Sequence, residues 1–301
     1  MDCIFERVAR RARHVHCAPL AACLPVVLLL ASRALANGHG PVYGLATPTL
    51  SEGGWAVDVG AMDRLAGTRS QDLNLRPMVS YGLTSDVQLS ASVPLPLYSR
   101  GTLDPVRMMA LMPAAPDVEM LLGWRFHRQA PAVGARFEST LYAGVDYPVE
   151  ASPPGIAPAP AVVGALVTGY ASRSIYAWIG GLYRRSLTAL EADHPGDQIM
   201  ASLVLGYRPP FLARDAPAAD WRIFLEGVGE YTLGDQGQGQ LAGRTVPNTG
   251  GTEVLVGPTV LGLFGAWGIS GGPLFPVYSA LNGNQPTERV RLALIFTYWW
   301  F

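Results

Sequence analysis

Lysine is missing from this 301-residue chain, and all 22 basic side chains are arginine. That bias reflects genomic base composition and carries no functional message by itself. Cysteine is scarce: Cys3, Cys17 and Cys23 are the three, all near the N-terminus. Charge is sparse as well, 15% of residues against 49% hydrophobic, with a formal net charge of −1. No basic patch or stripe emerges, which argues against a nucleic-acid partner. Beyond residue 36 no apolar run reaches the ~18 residues that a membrane-spanning helix needs.

The start of the chain accounts for the cysteines. Arg7, Arg10, Arg11 and Arg13 precede an apolar stretch, Leu20 to Ala31, and Ala34-Leu35-Ala36 forms an A-x-A site. This is the pattern of a secretory signal peptide, residues 1–36. Leu20-Ala21-Ala22-Cys23 also matches a lipoprotein cleavage box, but it precedes most of the apolar stretch it should follow, so cleavage after Ala36 is expected. Loss of the leader removes five Arg (also Arg33) and two acids (Asp2, Glu6), leaving 17 Arg against 21 acids and no cysteine. A mature chain without cysteine has no disulfide, thiolate metal site or cysteine nucleophile.

What remains is short stretches with apolar residues at period two, the signature of half-buried strands. The last is the clearest anchor. Val290, Leu292, Leu294, Phe296, Tyr298 and Trp300 form one apolar row, while the other row begins with Arg289 and Arg291. Tyr298, Trp299, Trp300 and Phe301 end the chain, and a strand finishing on a terminal Phe resembles the C-terminal assembly signal of Gram-negative outer-membrane barrels. Similar stretches fall at 55–64, 74–82, 87–95, 117–126, 133–147, 161–170, 175–184, 198–207, 221–231, 252–261 and 266–277, which makes twelve strands in all. Connections alternate in length. The odd ones (65–73, 96–116, 148–160, 186–197, 232–251, 278–288) are long and the even ones short, except 208–220. Long external loops and short periplasmic turns produce that alternation in a transmembrane barrel with both ends in the periplasm.

An exported chain without a helical span has one membrane-spanning option, a closed barrel whose backbone groups all pair. The expected architecture is therefore an all-β, antiparallel, up-and-down transmembrane barrel over residues 55–301, in the outer membrane of a Gram-negative bacterium. Residues 37–54, rich in Gly, Pro and Thr and without periodicity, are expected to be a periplasmic N-terminal arm. A soluble β-sandwich also has short alternating strands, but its loops would not sort by parity and it needs no terminal aromatic cluster. The expected surroundings are outer-membrane lipid, lipopolysaccharide and the barrel-assembly machinery.

Strand parity assigns a set of charged residues to the lumen: Asp58, Arg76, Glu119, Arg125, Arg136, Glu138, Arg222, Glu226, Glu230, Glu253, Arg289 and Arg291. Both signs occur. The set reads either as a pore lining for a polar solute or as ion pairs that fill a modest barrel. In the connection after the third strand, Met108, Leu111 and Met112 share a helical face, suited to a constriction, to a soft ion or to adaptable packing.

Cleavage after Ala36 would expose Asn37-Gly38-His39. Amine, two backbone amides and an imidazole in third place can wrap Cu(II) or Ni(II) in a square plane; a chance His in a flexible arm looks the same. Glu191, Asp193, His194 and Asp197 read as turn chemistry or as a weak divalent-ion site. No serine sits in a nucleophile elbow, and the mature histidines are His39, His127 and His194. No enzyme activity and no further cofactor is expected.

Several motifs carry a family resemblance: Gly38-His39-Gly40-Pro41-Val42-Tyr43-Gly44-Leu45-Ala46-Thr47-Pro48-Thr49 with Gly53-Gly54-Trp55, Asp193 to Asp197, Pro247 to Gly251, and Gly271 to Tyr278. Together they resemble the proteobacterial outer-membrane barrels of the family named for the meta-pathway of phenol degradation. The resemblance implies a barrel with a transport role and, for some members, metal-handling gene neighbours. It supplies no binding or catalytic residues. One departure is visible: the apolar row ends at Trp300, so Phe301 falls on the opposite row, and a late bulge is expected. The function expected is a channel for small solutes, aromatic, hydrophobic or metal-linked, with a closed structural or metal-binding barrel as the alternative.

Overall fold

The computed structural model describes residues 40–101, 117–148, 160–187, 196–213, 218–234 and 249–300. The leader, Asn37 to His39, the Met108–Met112 stretch, Glu191, Asp193, His194 and Phe301 lie outside them. The described chain folds as β1 (Trp55–Ala66), β2 (Ser70–Gly82), β3 (Val87–Ser92), β4 (Leu95–Arg100), β5 (Asp117–Ala132), β6 (Ala135–Pro148), β7 (Ala161–Ala171), β8 (Ile175–Ser186), β9 (Gln198–Tyr207), β10 (Asp220–Thr232), β11 (Gly251–Phe264), β12 (Trp267–Leu281) and β13 (Glu288–Trp300). Every pairing is antiparallel, and β1 pairs with both β2 and β13, which closes the sheet.

Thirteen segments make twelve wall positions. β3 and β4 both pair with β2, and they form one strand broken at Val93-Pro94. Proline cannot donate to a ladder, and Val93 bridges the break by donating to Pro77 O at 3.1 Å. The twelve stretches expected from period-two patterning each coincide with a wall position.

Three local readings change. β1 and β2 run on past their expected ends, down to the Ala66–Ser70 pair, so the first connection is the tight turn 67–69 and not a long loop. The β1–β13 register slips where Leu65 faces Val290 but Ala66 faces Glu288. Arg289 is the extra residue of that bulge and is exposed, so it does not line the lumen, and buried Glu288 takes its place. The third change is larger: from Gly40 onward the expected periplasmic arm runs inside the barrel, with Val42, Tyr43, Leu45 and Leu50 all buried.

One rim carries connections 67–69, 101–116, 149–160, 187–197, 233–250 and 282–287; the other carries 83–86, 133–134, 172–174, 208–219 and 265–266. The two-residue turns 133–134 and 265–266 each use a glycine at positive φ, Gly134 at 76° and Gly265 at 63°, as tight hairpins require.

The outer surface is banded. Near the long-loop rim an exposed tyrosine sits on β4, β6, β8, β10 and β12 in turn: Tyr98, Tyr147, Tyr183, Tyr231 and Tyr278. Near the other rim the exposed rings include Trp55, Trp124, Phe126, Phe137, Tyr207, Phe264 and Trp300, with Trp55 stacked on Trp300 at 5.8 Å. Between the bands most of the exposed large side chains are aliphatic, such as Leu141, Leu166, Ile179, Leu203 and Leu225, with Phe275 and Phe296 among them. Phe137 and Tyr147 are ten residues apart on β6, roughly 34 Å along the strand. At a tilt of about 40° that becomes ~26 Å of height, matching the ~25 Å apolar band between aromatic girdles of outer-membrane barrels.

Leu203→Arg therefore places a charge at mid-height on the lipid face and should cost about 2–4 kcal/mol of folding into vesicles, whereas Tyr231→Arg at a girdle should cost about 0–1. Heat-modifiable migration over a urea series reads both. Equal, negligible effects would mean that the band does not meet lipid.

Candidate functional site in the barrel lumen

The interior is organised around an acceptor. Glu226 projects inward from the middle of β10 and is fully buried. Its partners are consecutive amides of the arm: Val42 N donates to Oε1 at 2.8 Å, and Tyr43 N and Gly44 N donate to Oε2 at 2.7 Å each. Thr259 Oγ1 from β11 also donates to Oε1. Short charge-assisted bonds of this kind are the strong class, and together they give a buried carboxylate full solvation without a counter-cation.

From there the arm crosses the lumen, and wall side chains satisfy its backbone. Leu45 N donates to Ser202 Oγ at 3.0 Å, Tyr142 OH donates to Ala46 O at 2.9 Å, and Thr140 Oγ1 donates to Thr47 O at 2.7 Å. Trp178 Nε1 donates to Thr47 Oγ1 at 3.1 Å, and Leu50 N reaches Gln88 Oε1 at 2.9 Å. At the deep end, the Tyr43 hydroxyl lies 2.7 Å from Gly272 O and 3.1 Å from Arg291 O. Burial pushes the Tyr43 phenol far up, so it remains a donor. A segment without helix or strand thus has its polar groups met by wall side chains, as buried backbone must.

Arm and wall are shaped to each other. A Cβ on Gly44 would lie 2.2 Å from Val204 Cγ2, and one on wall residue Gly180 would lie 2.8 Å from Leu45 Cδ1. The inner row of β7 is Ala161, Val163, Ala165 and Val167, apolar where a wet pore would be polar. With Leu121, Trp178, Met200, Val204, Phe224 and Leu255, its Val163, Ala165 and Val167 join Val42, Tyr43, Leu45 and Leu50 in one hydrophobic cluster. The barrel core is therefore inside the lumen, and the arm is its centre.

Ion pairs occupy the space toward the long loops. Arg291, fully buried, bonds Glu230 at 2.7 Å and Glu288 at 2.9 Å, and Arg64 joins Glu288 at 2.9 Å. Arg184 meets Asp146 at 2.6 Å, and Arg76 meets Glu119 at 3.5 Å. Toward the short-turn rim, Arg125 bridges Glu138 at 3.0 Å and Asp86 at 2.8 Å, and Arg136 lies 3.3 Å from Glu138. Arg125 holds the Asp86 carboxyl below the usual carboxylate range. Arg222 lies 3.4 Å from Asp220, with its guanidinium 5.2 Å from the Tyr176 ring.

Of the charged residues assigned to the lumen by parity, Asp58, Arg76, Glu119, Arg125, Arg136, Glu138, Arg222, Glu226, Glu230, Glu253 and Arg291 are buried or half-buried on the inner face. They do not form one site. Eight of them pair in separate clusters along the wall, Glu253 accepts from Ser279 Oγ and Glu288 N at 3.3 Å each, and Glu226 takes three consecutive amides of the arm. The luminal set read from the sequence left out Arg64, although parity turns it inward, and also Arg184 and Glu288, all three buried. It also missed the uncharged residues that hold the arm: Gln88, Thr140, Tyr142, Trp178, Ser202 and Thr259. Parity puts each of them inward, but a lone hydroxyl or amide does not stand out in a sequence. The apolar content of the arm was the available signal, since Val42, Tyr43, Leu45 and Leu50 have no reason to face water.

Between the arm and the β1, β2, β3 and β13 wall a cavity of about 130 Å³ remains, with Asp58, Arg76, Ser270 and Thr297 among its lining. Among the described residues no group of three or more His, Cys, Asp or Glu side chains is placed to hold a metal ion.

The chain shares its fold with an outer-membrane channel from Pseudomonas putida F1, at TM-score 0.60 and 10% identity, over 84% of this chain and 98% of that one. Looser likenesses extend to the NanC porin (TM-score 0.48, 7% identity, 80% and 98% coverage) and to OccK11 of Pseudomonas aeruginosa (0.36, 10%, 83% and 98%). No protein-family model and no curated sequence matches the chain. The phenol meta-pathway likeness of its motifs accordingly stands as a resemblance.

Replacing Glu226 by Gln exchanges an acceptor for an amide that opposes the arm's N–H groups. Losing charged hydrogen bonds of this class should cost the docked arm about 3 kcal/mol, roughly a 100-fold rise in its undocked fraction. Thiol labelling of an Ala46→Cys reporter should accelerate accordingly; unchanged labelling would mean that Glu226 does not retain the arm.

Proposed function

We propose that this chain is an outer-membrane channel for small solutes, exported by its leader, with the barrel ends periplasmic and the long connections outside, and with residues 40–50 as a lumen plug. The observation that carries the reading is the way the arm is held. It is retained through its own amides and carbonyls by wall side chains, among them Glu226, Ser202, Thr140 and Tyr142. That is a docked segment in a preformed barrel wall and not a strand of it. The banded exterior and the fold shared with the Pseudomonas putida channel support the membrane and channel parts of the proposal.

A second reading has its own support. The apolar inner row of β7 and the buried Arg–carboxylate clusters are what a permanently closed barrel would use for stability. In the channel reading, solutes pass on the cavity side of the arm when it shifts from the β1 and β2 wall.

Planar-bilayer recordings separate the two. The full chain should show brief openings between long closures, and a variant lacking 37–50 should conduct steadily at higher current. Silence from both proteins, each shown to be folded by heat-modifiable migration, would eliminate the channel.

A further inference from the structure

The cavity beside the arm has two unlike sides. Met78, Leu121 and Ile295 give it an apolar surface, and Asp58, Ser270 and Thr297 a polar one. Asp58 is 5% exposed. Its Oδ1 accepts from Thr297 Oγ1, while its Oδ2 is buried with no hydrogen-bond partner. An ionised oxygen in that state is costly, and a built interior that satisfies Glu226 fourfold leaves this one open.

The neighbouring guanidinium is shared. Arg76, which also lines the cavity, interacts with Glu119, Asp58 and Asp146, and Asp146 is itself held by Arg184. Arg76 is therefore divided among three carboxylates, and Arg184 also serves one of them. The space corresponds to roughly ten water-sized positions, enough for a compact organic ion.

We propose that the cavity is a binding site for a small primary ammonium ion carrying a short apolar tail. The ammonium donates to Asp58 Oδ2, and the tail lies on Met78, Leu121 and Ile295. This deepens the channel reading by naming its solute class, and it depends on that reading only in requiring that solutes reach the lumen.

The test is calorimetric titration of the full chain in detergent micelles with n-butylammonium, against n-butanol, butyrate and tetramethylammonium as probes. Saturable millimolar binding of n-butylammonium is expected, with each of the other three at least tenfold weaker, because one charge-assisted bond is worth about tenfold or more. Asp58→Asn should lose at least tenfold. Should that variant fail to fold, Ile295→Trp, which fills the apolar side and leaves the carboxylate intact, should lose n-butylammonium binding instead. Absent binding, equal binding of butanol or tetramethylammonium, or indifference to the folded variants would overturn the proposal. Binding by a protein silent in bilayers would keep the site and remove the channel; conduction without binding would do the reverse.

Discussion

Glu226 is a buried carboxylate whose charge is answered by peptide N–H groups of a segment far away in sequence, and the interior depends on that exchange. A twelve-strand wall encloses a lumen that its own inward side chains can only partly fill. Water would have to occupy the remainder, against the apolar row of β7 and the rings of Trp178 and Phe224. The arm removes that conflict. It brings Val42, Tyr43, Leu45 and Leu50 to the apolar surfaces and presents three amides to the acid. Each side meets a need of the other: without the arm Glu226 faces an apolar cavity, and without Glu226 three adjacent donors lose their acceptor.

The charged clusters follow a different logic at a different depth. Arg291 with Glu230 and Glu288, and Arg184 with Asp146, link strands distant in sequence, β13 to β10 and β8 to β6. Buried pairs contribute little net stability but make misalignment costly, since removing one partner leaves a bare charge. In a barrel whose exterior is uniformly apolar, lipid does not specify rotation or register, so the inner charges fix the pairing. Fixing a register and holding a plug are thus assigned to different residues, and the two sets scarcely overlap.

How far the sequence was legible follows from this division. Wall strands carry period-two patterning because lipid and lumen impose opposite demands on alternate residues, so β13 and β10 could be read from Val290–Trp300 and Trp221–Tyr231 alone. Features that break the period were not readable. Arg289 obeys parity in the sequence, yet a bulge opposite Leu65 and Ala66 turns it outward. The 67–69 turn is hidden because the extension of β2 beyond its expected start at 74 begins with the polar run Ser70-Gln71-Asp72, which shows no apolar alternation. The arm has no period, because its hydrogen bonds go to scattered wall side chains and not to a neighbouring ladder. Its glycines and prolines look like linker chemistry, whereas Gly44 is required by the close approach of Val204.

The packing also constrains how such a barrel can open. Undocking the whole arm would return Val42, Tyr43, Leu45 and Leu50 to water, at about 2 kcal/mol for each side chain. A cost near 8 kcal/mol leaves an expelled arm at a population on the order of one in a million, before any hydrogen bond is counted. Expulsion is therefore not a thermal gate. A shift limited to the side facing β1 and β2 breaks less, because the arm there borders a cavity and not the β7 row, and its bonds to Glu226 and, through Tyr43, to β12 and β13 lie elsewhere. The asymmetry between a tightly packed flank and a hollow one sets the side on which a solute path can form.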